Sequence, residues 1–178
     1  MRIISGKYKG RRIPVPGNFQ GRPTTDYARE SLFNVLQHHI GWDGAHILDL
    51  FAGTGAISLE CISRGAEKVV AVEKSPVHIR AIKENFKTFE AEYAQAWRAD
   101  VFSFIQKCQD SFHLIVADPP YDLKELTNLP ELIVNSNLLK QDGCFVLEHP
   151  DRMDFSEIKG FNQHRRYGSV NFSFFLKE

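Results

Sequence analysis

Long apolar runs are missing from these 178 residues, and so is any net charge. No stretch approaches the ~18 apolar residues a membrane helix needs, so no spanning segment is expected. Met1-Arg2-Ile3-Ile4-Ser5-Gly6 carries one basic residue and no apolar core behind it, so no secretory signal is expected either, and a cytoplasmic protein is. Cysteine is scarce. Cys61, Cys108 and Cys144 form no CxxC pair and no zinc spacing, which points to buried thiols in a reducing compartment. The seven histidines show no HxxxH spacing, and His149 reads as a structural residue, so no metal is expected. There is no repeat, low-complexity tract or linker. With 43% hydrophobic and 25% charged residues the chain is neither disordered nor fibrous, and its length suits one compact monomeric unit.

What is present is unevenly placed. The 22 basic and 22 acidic side chains cancel, yet residues 1–30 hold seven of the basic ones (Arg2, Lys7, Lys9, Arg11, Arg12, Arg22, Arg29) against Asp26 and Glu30. A basic arm on an acidic body suggests an anionic partner. Residues 2–5 and 11–15 read as two short strands around a turn bounded by Gly6 and Gly10. Lys7, Lys9, Arg11 and Arg12 flank Tyr8 there, a pattern suited to phosphates plus one stacking contact. Arg165, Arg166 and Tyr167 could extend that surface. Arg22-Pro23-Thr24-Thr25 reads as a loop feeding a helix over about 26–39, so residues 1–40 form an N-terminal extension and 41–178 the main body.

From residue 46 the pattern alternates. Apolar runs at 46–51, 68–73, one ending at Asp100, 113–118 and 144–148 read as strands. Helical spacings at about 56–64, from Ser75-Pro76 onward, at 101–108 and at about 126–139 lie between them. The tail reads as strand, Gly168 turn, strand. Continuous apolar strands alternating with helices mean an α/β fold. Its sheet is mostly parallel and covered on both faces, with an antiparallel C-terminal addition.

Ligands on such sheets lie at the carboxyl ends of the strands. Those ends carry Asp49, Glu73, Asp100 and Asp118, where each alone would pass as a helix N-cap. Asp49-Leu50-Phe51-Ala52-Gly53-Thr54-Gly55 places two glycines after the first strand, so that backbone can approach a ligand closely. A nicotinamide dinucleotide is disfavoured. The third glycine of GxGxxG would fall on Ser58, and Asp49 would repel a pyrophosphate. A carboxylate there would instead attract the ammonium of an amino-acid tail, such as that of S-adenosylmethionine (SAM). Glu73 stands where a ribose diol would be held and Asp100 where an adenine amine would lie. This layout resembles class I SAM-dependent methyltransferases, which implies a Rossmann-like fold with a seven-stranded sheet. It also implies a SAM site built from Asp49, Phe51, Ala52, Gly53, Thr54, Gly55, Glu73, Asp100 and Val101. A nucleotide fold binding some other adenosine ligand stays open on these residues.

Asp118-Pro119-Pro120-Tyr121 closes the fourth strand, where two prolines force the chain to turn. The motif resembles the Asp/Asn-Pro-Pro-aromatic signature of methyltransferases acting on exocyclic amines of nucleobases. Asp118 and the Pro119 carbonyl could accept the two N–H bonds of such an amine, and Tyr121 offers a stacking face. The arm, with Arg22-Pro23-Thr24-Thr25-Asp26 and Arg29 to Leu36, is similar to the RsmD-type 16S ribosomal RNA guanine-N2 methyltransferases over nearly the whole chain. That resemblance implies methylation of a guanine N2 amine in small-subunit ribosomal RNA already carrying ribosomal proteins. Catalytic residues would be Asp118, Pro119, Pro120 and Tyr121, with RNA held by Lys7, Lys9, Arg11, Arg12 and Arg22. A DNA adenine-N6 methyltransferase and a non-catalytic RNA-binding protein on a nucleotide fold are the alternatives.

Overall fold

In a computed structural model, residues 1–17 and 25–177 are described, so Arg22 and the start of its loop lie outside the described residues. Helix α1 spans Asp26–Leu36, and Thr25 caps it by accepting from the Ala28 N–H. The alternating body then runs β1 (His46–Leu50), α2 (Ala56–Ser63), β2 (Lys68–Glu73), α3 (Pro76–Thr88), β3 (Ala94–Arg98), α4 (Val101–Lys107) and β4 (Phe112–Ala117). A 3₁₀ turn at Leu126–Asn128, α5 (Leu129–Val134), β5 (Leu139–His149), β6 (Phe161–Tyr167) and β7 (Val170–Leu176) complete it. Ser75 and Pro76 start α3 as cap and first-turn proline, as their order predicts.

The seven strands form one sheet in the order β3-β2-β1-β4-β5-β7-β6. Strands β1 to β5 pair in parallel, and β7 and β6 add antiparallel neighbours. Buried residues of α4 and α5 pack one face, against Leu48, Val70, Ile115 and Phe145. Those of α1 pack the other, against Ile47, Val69, Leu114 and Val116, with α2 and α3 continuing that layer. Alternate residues of every central strand are thus buried on opposite sides, which explains the unbroken apolar runs. Among the described residues no helix is long and apolar enough to cross a membrane.

Several expected boundaries move. The helix expected to reach residue 39 ends at Leu36, and residues 37–39 continue as turns. The expected helix at 126–139 is two short pieces, because strand β5 already begins at Leu139. There the β4–β5 register shifts and Asp142 takes a positive φ of 59°. The two expected N-terminal strands are an irregular hairpin with a single bridge, Arg2↔Arg12. The backbone donors that would extend a ladder are spent on α2 instead. Ile4 and Ser5 N–H donate to Glu60 at 2.7 and 3.0 Å, and Lys7 N–H donates to the Ser63 carbonyl at 2.7 Å. Tyr8 N–H donates to Ser63 Oγ at 2.9 Å. Glu60 is fully buried and also accepts from Arg64 Nε at 2.9 Å, so its charge is paired as burial requires. Ile3, Tyr8 and Ile13 share one apolar cluster with α2 and α3. Arg29, one of the seven N-terminal cations, is fully buried between the Arg2 carbonyl and Asp26.

Gly6 makes this docking possible. At φ +80° a Cβ would sit 1.8 Å from the Ser63 carbonyl oxygen, whereas at Gly10, with φ +83°, a Cβ meets open space. Gly6→Ala is therefore expected to destabilise the fold by about 2–4 kcal/mol and Gly10→Ala by only about 1 kcal/mol. Urea midpoints of the two variants measure the difference. Trypsin should cut the Gly6 variant faster at Lys7 and Lys9.

Candidate active site at the carboxyl edge of the sheet

The chain leaves β1 through a strained turn. Phe51, Gly53 and Gly55 have φ of 61°, 53° and 75°. Ala52 N–H donates to the Val72 carbonyl at 3.0 Å, which ties the turn to the end of β2. A Cβ at Gly55 would press on Ile82 Cγ1 at 3.1 Å, so α3 packs directly against the turn. Thr54 is buried with its hydroxyl 3.6 Å from the Met1 sulfur, and α2 begins at Ala56.

Three of the four predicted acids meet around this turn. Asp49 lies beneath it, 3% exposed, and its Oδ2 accepts from Ser58 N–H at 3.1 Å and Ser58 Oγ at 2.6 Å. Glu73 ends β2 and accepts from Gly53 N–H at 2.9 Å with one oxygen and from Ser75 N–H at 2.7 Å with the other. His78 Nδ1 stands 3.8 Å from it. Asp118 follows β4, and its N–H donates to the Leu50 carbonyl at 3.3 Å. Burial is the main force pushing the Asp49 carboxyl up to about 7. The Ser58 bonds oppose it, and the Asp118 and Glu73 charges add to it. Asp100 sits farther out. It lies two residues past β3, is exposed, caps α4 by accepting from Ser103 N–H at 3.1 Å, and has Lys74 Nζ at 3.9 Å. Val101 is buried in the core as the first residue of α4.

Past Asp118, Pro119 is buried and Pro120 exposed, and Leu123 N–H closes a turn onto the Pro120 carbonyl at 3.0 Å. Tyr121 is 38% exposed, so part of its ring is available to a flat partner. Its hydroxyl donates to Glu148 Oε1 at 3.0 Å, and its carbonyl accepts from Arg152 Nη2 at 3.1 Å. Glu148 and Ser58 were missed in the sequence. The signal for Glu148 was its place at the end of the fifth apolar run, matching the other strand-end acids. Ser58 registered only as a missing glycine.

The tip of the basic arm is not beside these acids. Lys7 and Tyr8 bond Ser63 at the end of α2, and Arg11 donates to the Thr88 carbonyl at 3.2 Å at the end of α3. Helices α2 and α3 have 8 and 13 residues, so the tip lies ~12–20 Å from the glycine turn. Tyr8 is not free to stack on a base. It is 7% exposed and packs edge-on against Phe89, with ring centroids 5.3 Å apart. The Arg11 guanidinium covers Phe89 at 4.2 Å. Lys7, Lys9 and Arg12 remain exposed. His149 is buried between the Pro150 carbonyl at 3.0 Å and Ser173 Oγ at 2.8 Å, where it joins β5 to β7. Cys61 and Cys144 are buried and Cys108 is partly so.

Three comparisons bear on this arrangement. A family model described as "Conserved hypothetical protein 95" matches residues 1–176. The Bacillus subtilis (strain 168) protein YlbH is 35% identical over 184 residues, covering 99% of this chain and 99% of its own. Ribosomal RNA small subunit methyltransferase D of Escherichia coli (strain K12) is 37% identical over 148 residues, 83% of this chain and 74% of that protein. A solved structure of a hypothetical protein from Thermus thermophilus superposes with a TM-score of 0.84 at 29% identity, covering 98% of each chain.

The raised Asp49 carboxyl has a consequence for stability. In the unfolded chain it ionises near the ordinary carboxyl range, so holding it ionised in the fold becomes increasingly unfavourable as pH rises from about 4 to about 7. Asp49→Asn keeps an acceptor for Ser58 and removes that penalty. Relative to the parent, its unfolding free energy should rise by roughly 2–4 kcal/mol between pH 5 and pH 8. Urea unfolding across that range checks it, and parallel curves for the two proteins would contradict the assignment.

Proposed function

Since the chain belongs to the conserved hypothetical protein 95 family, alongside ribosomal RNA small subunit methyltransferase D, we propose that it methylates small-subunit ribosomal RNA from SAM, at a guanine N2 amine. The observation that carries this reading is the junction of Asp118-Pro119-Pro120-Tyr121 with the glycine turn of β1, joined by the Asp118–Leu50 hydrogen bond.

The donor set suits SAM. Asp49 and Glu73 surround a turn that exposes backbone to a ligand, and Asp49 is held near neutrality by burial and by its neighbours' negative charge. A cation entering there relieves that repulsion, and a phosphate worsens it. Asp49 and the 51–55 turn would hold the amino-acid tail, Glu73 the ribose, and Asp100 with Val101 the adenine side. When bound, SAM supplies a methyl group on a sulfonium cation.

The residues of the chain then do the positioning. An exocyclic aromatic amine is a poor nucleophile because its lone pair is delocalised into the ring. Asp118 and the Pro119 carbonyl accept its two N–H bonds, hold the nitrogen and turn its lone pair outward. Positive charge develops on that nitrogen as its new bond to carbon forms, and the Asp118 carboxylate stabilises it. The proton becomes acidic only at that stage. Tyr121, braced through its hydroxyl by Glu148, stacks on the base, and Pro120 keeps the turn stiff.

Lys7 and Lys9 lie about a helix length from this centre, so with Arg12 at the open end of the hairpin they grip flanking phosphates rather than the target nucleotide. Arg22 would join them. The short turn after Tyr121 leaves little protein above the base. An assembling ribonucleoprotein particle supplies that cover, with the enzyme acting as a cytoplasmic monomer.

Asp118→Ala is expected to lower single-turnover methyl transfer by about 10²–10³-fold with SAM affinity nearly unchanged, since the contact is made with the amine and strengthens in the transition state. Asp118→Asn keeps one acceptor oxygen and should stay measurably above the alanine variant. Equal floors for the two would show that the charge itself is required.

Replacing Lys7, Lys9 and Arg12 together by Gln leaves the Arg11–Phe89 packing intact. It should weaken RNA or particle binding and lower the log–log salt slope by about 0.7–0.9 per lost phosphate contact, with SAM affinity unmoved. An unaltered slope would make the arm a solvated face.

A further inference from the structure

Five acids close the carboxyl edge, and the fifth has no part in the reading above beyond bracing Tyr121. The last β4–β5 pair is Ala117↔Leu147, so the next residues, Asp118 just past the end of β4 and Glu148 on β5, follow side by side. They also share a face. Val116 and Val146, two residues earlier, pack the same side of the sheet, and alternate strand residues point the same way. Glu148 is 6% exposed and its carboxylate is oriented by the Tyr121 hydroxyl at 3.0 Å. The backbone that carries a second carboxylate therefore lies about one strand spacing, ~4.8 Å, from the backbone of the residue assigned to the target amine.

The nucleobases differ at this point. Guanine presents two neighbouring donors, the N2 amine and N1–H. Adenine and cytosine carry a ring-nitrogen lone pair beside their amine. A carboxylate next to the amine site binds N1–H and repels a lone pair. We infer that Glu148 is a specificity-determining residue, which accepts the N1–H of the target guanine while Asp118 and Pro119 hold its amine. The inference rests on the guanine-N2 reading. It adds a reason for the choice of base that the Asp-Pro-Pro-Tyr motif, common to enzymes acting on different amines, does not contain.

2-Aminopurine tests the point, because it keeps the N2 amine and replaces N1–H by a lone pair; it also lacks O6, and the Glu148→Gln variant separates the two changes. Small-subunit particles from cells lacking this gene are first methylated by the parent protein with SAM. N2-methylguanosine is expected, and its nucleotide is mapped. Formation of a methyladenosine or methylcytidine instead would overturn the guanine reading and this inference with it. Particles are then reconstituted with 2-aminopurine at the mapped nucleotide. The parent should methylate guanine at least about 100-fold faster than 2-aminopurine, as expected of a site built around a donor that the analogue lacks. Comparable rates would overturn the inference while leaving the guanine reading intact.

Glu148→Gln turns an obligate acceptor into a group that can also donate to the lone pair. It should slow guanine methylation about 10²-fold and shrink the guanine preference to less than about fivefold. Tyr121→Phe removes the brace and keeps the carboxylate, so its preference should stay close to the parent's. A Glu148→Gln protein with the parent's preference contradicts the inference. So does a Tyr121→Phe protein that loses the preference as fully as Glu148→Gln, because Glu148 would then act only through Tyr121.

Discussion

Like-charged carboxylates crowded at one end of a low-dielectric sheet are the constraint around which this molecule is arranged. Asp49, Glu73 and Asp118 would repel one another if left bare. Backbone N–H groups answer part of that repulsion. Ser58 donates to Asp49, and Gly53 and Ser75 donate to Glu73. These donors exist because the chain turns sharply after β1 and β2 and starts a helix each time, which points free N–H groups at the edge. The compensation is incomplete, as the raised Asp49 carboxyl shows. A site that keeps surplus negative charge under partial burial is prepared for a cationic ligand.

The same logic sets the roles of the two ends of the molecule. The carboxyl edge is acidic and held in place by backbone. The hairpin tip, which bears Lys7 and Lys9, lies where α2 and α3 end. Carbonyl groups at those helix ends favour positive charge. Lys7 N–H and Arg11 engage carbonyls there directly. In the proposed function, separating the charges in this way would let an RNA backbone be held without drawing the basic groups into the acidic centre, where they would neutralise it.

Much of this was legible in the chain. Strands β1, β2 and β4 were plain because both their faces are buried, which leaves unbroken runs such as Lys68–Glu73. Ser75-Pro76 announced α3 because its capping chemistry is local. Asp49, Glu73 and Asp118 could be placed because each ends such a strand. What escaped depends on contacts distant in sequence. Tyr8 looked like a stacking ring between basic residues, but its partner Phe89 lies across the hairpin's docking surface. No local pattern says that Glu60, an ordinary helical acid, is fully buried to receive the N–H groups of Ile4 and Ser5. Glu148 needed the strand order, since only the β4–β5 pairing sets it beside Asp118.

The account holds that these acids serve methylation of one guanine amine in small-subunit ribosomal RNA. Nucleoside mass spectrometry of that RNA, from cells with and without the gene, tests this most directly. The predicted result is the loss of a single N2-methylguanosine, restored when the gene is returned. An unchanged set of modified nucleosides, or loss of a methylated adenosine or cytidine instead, would contradict it.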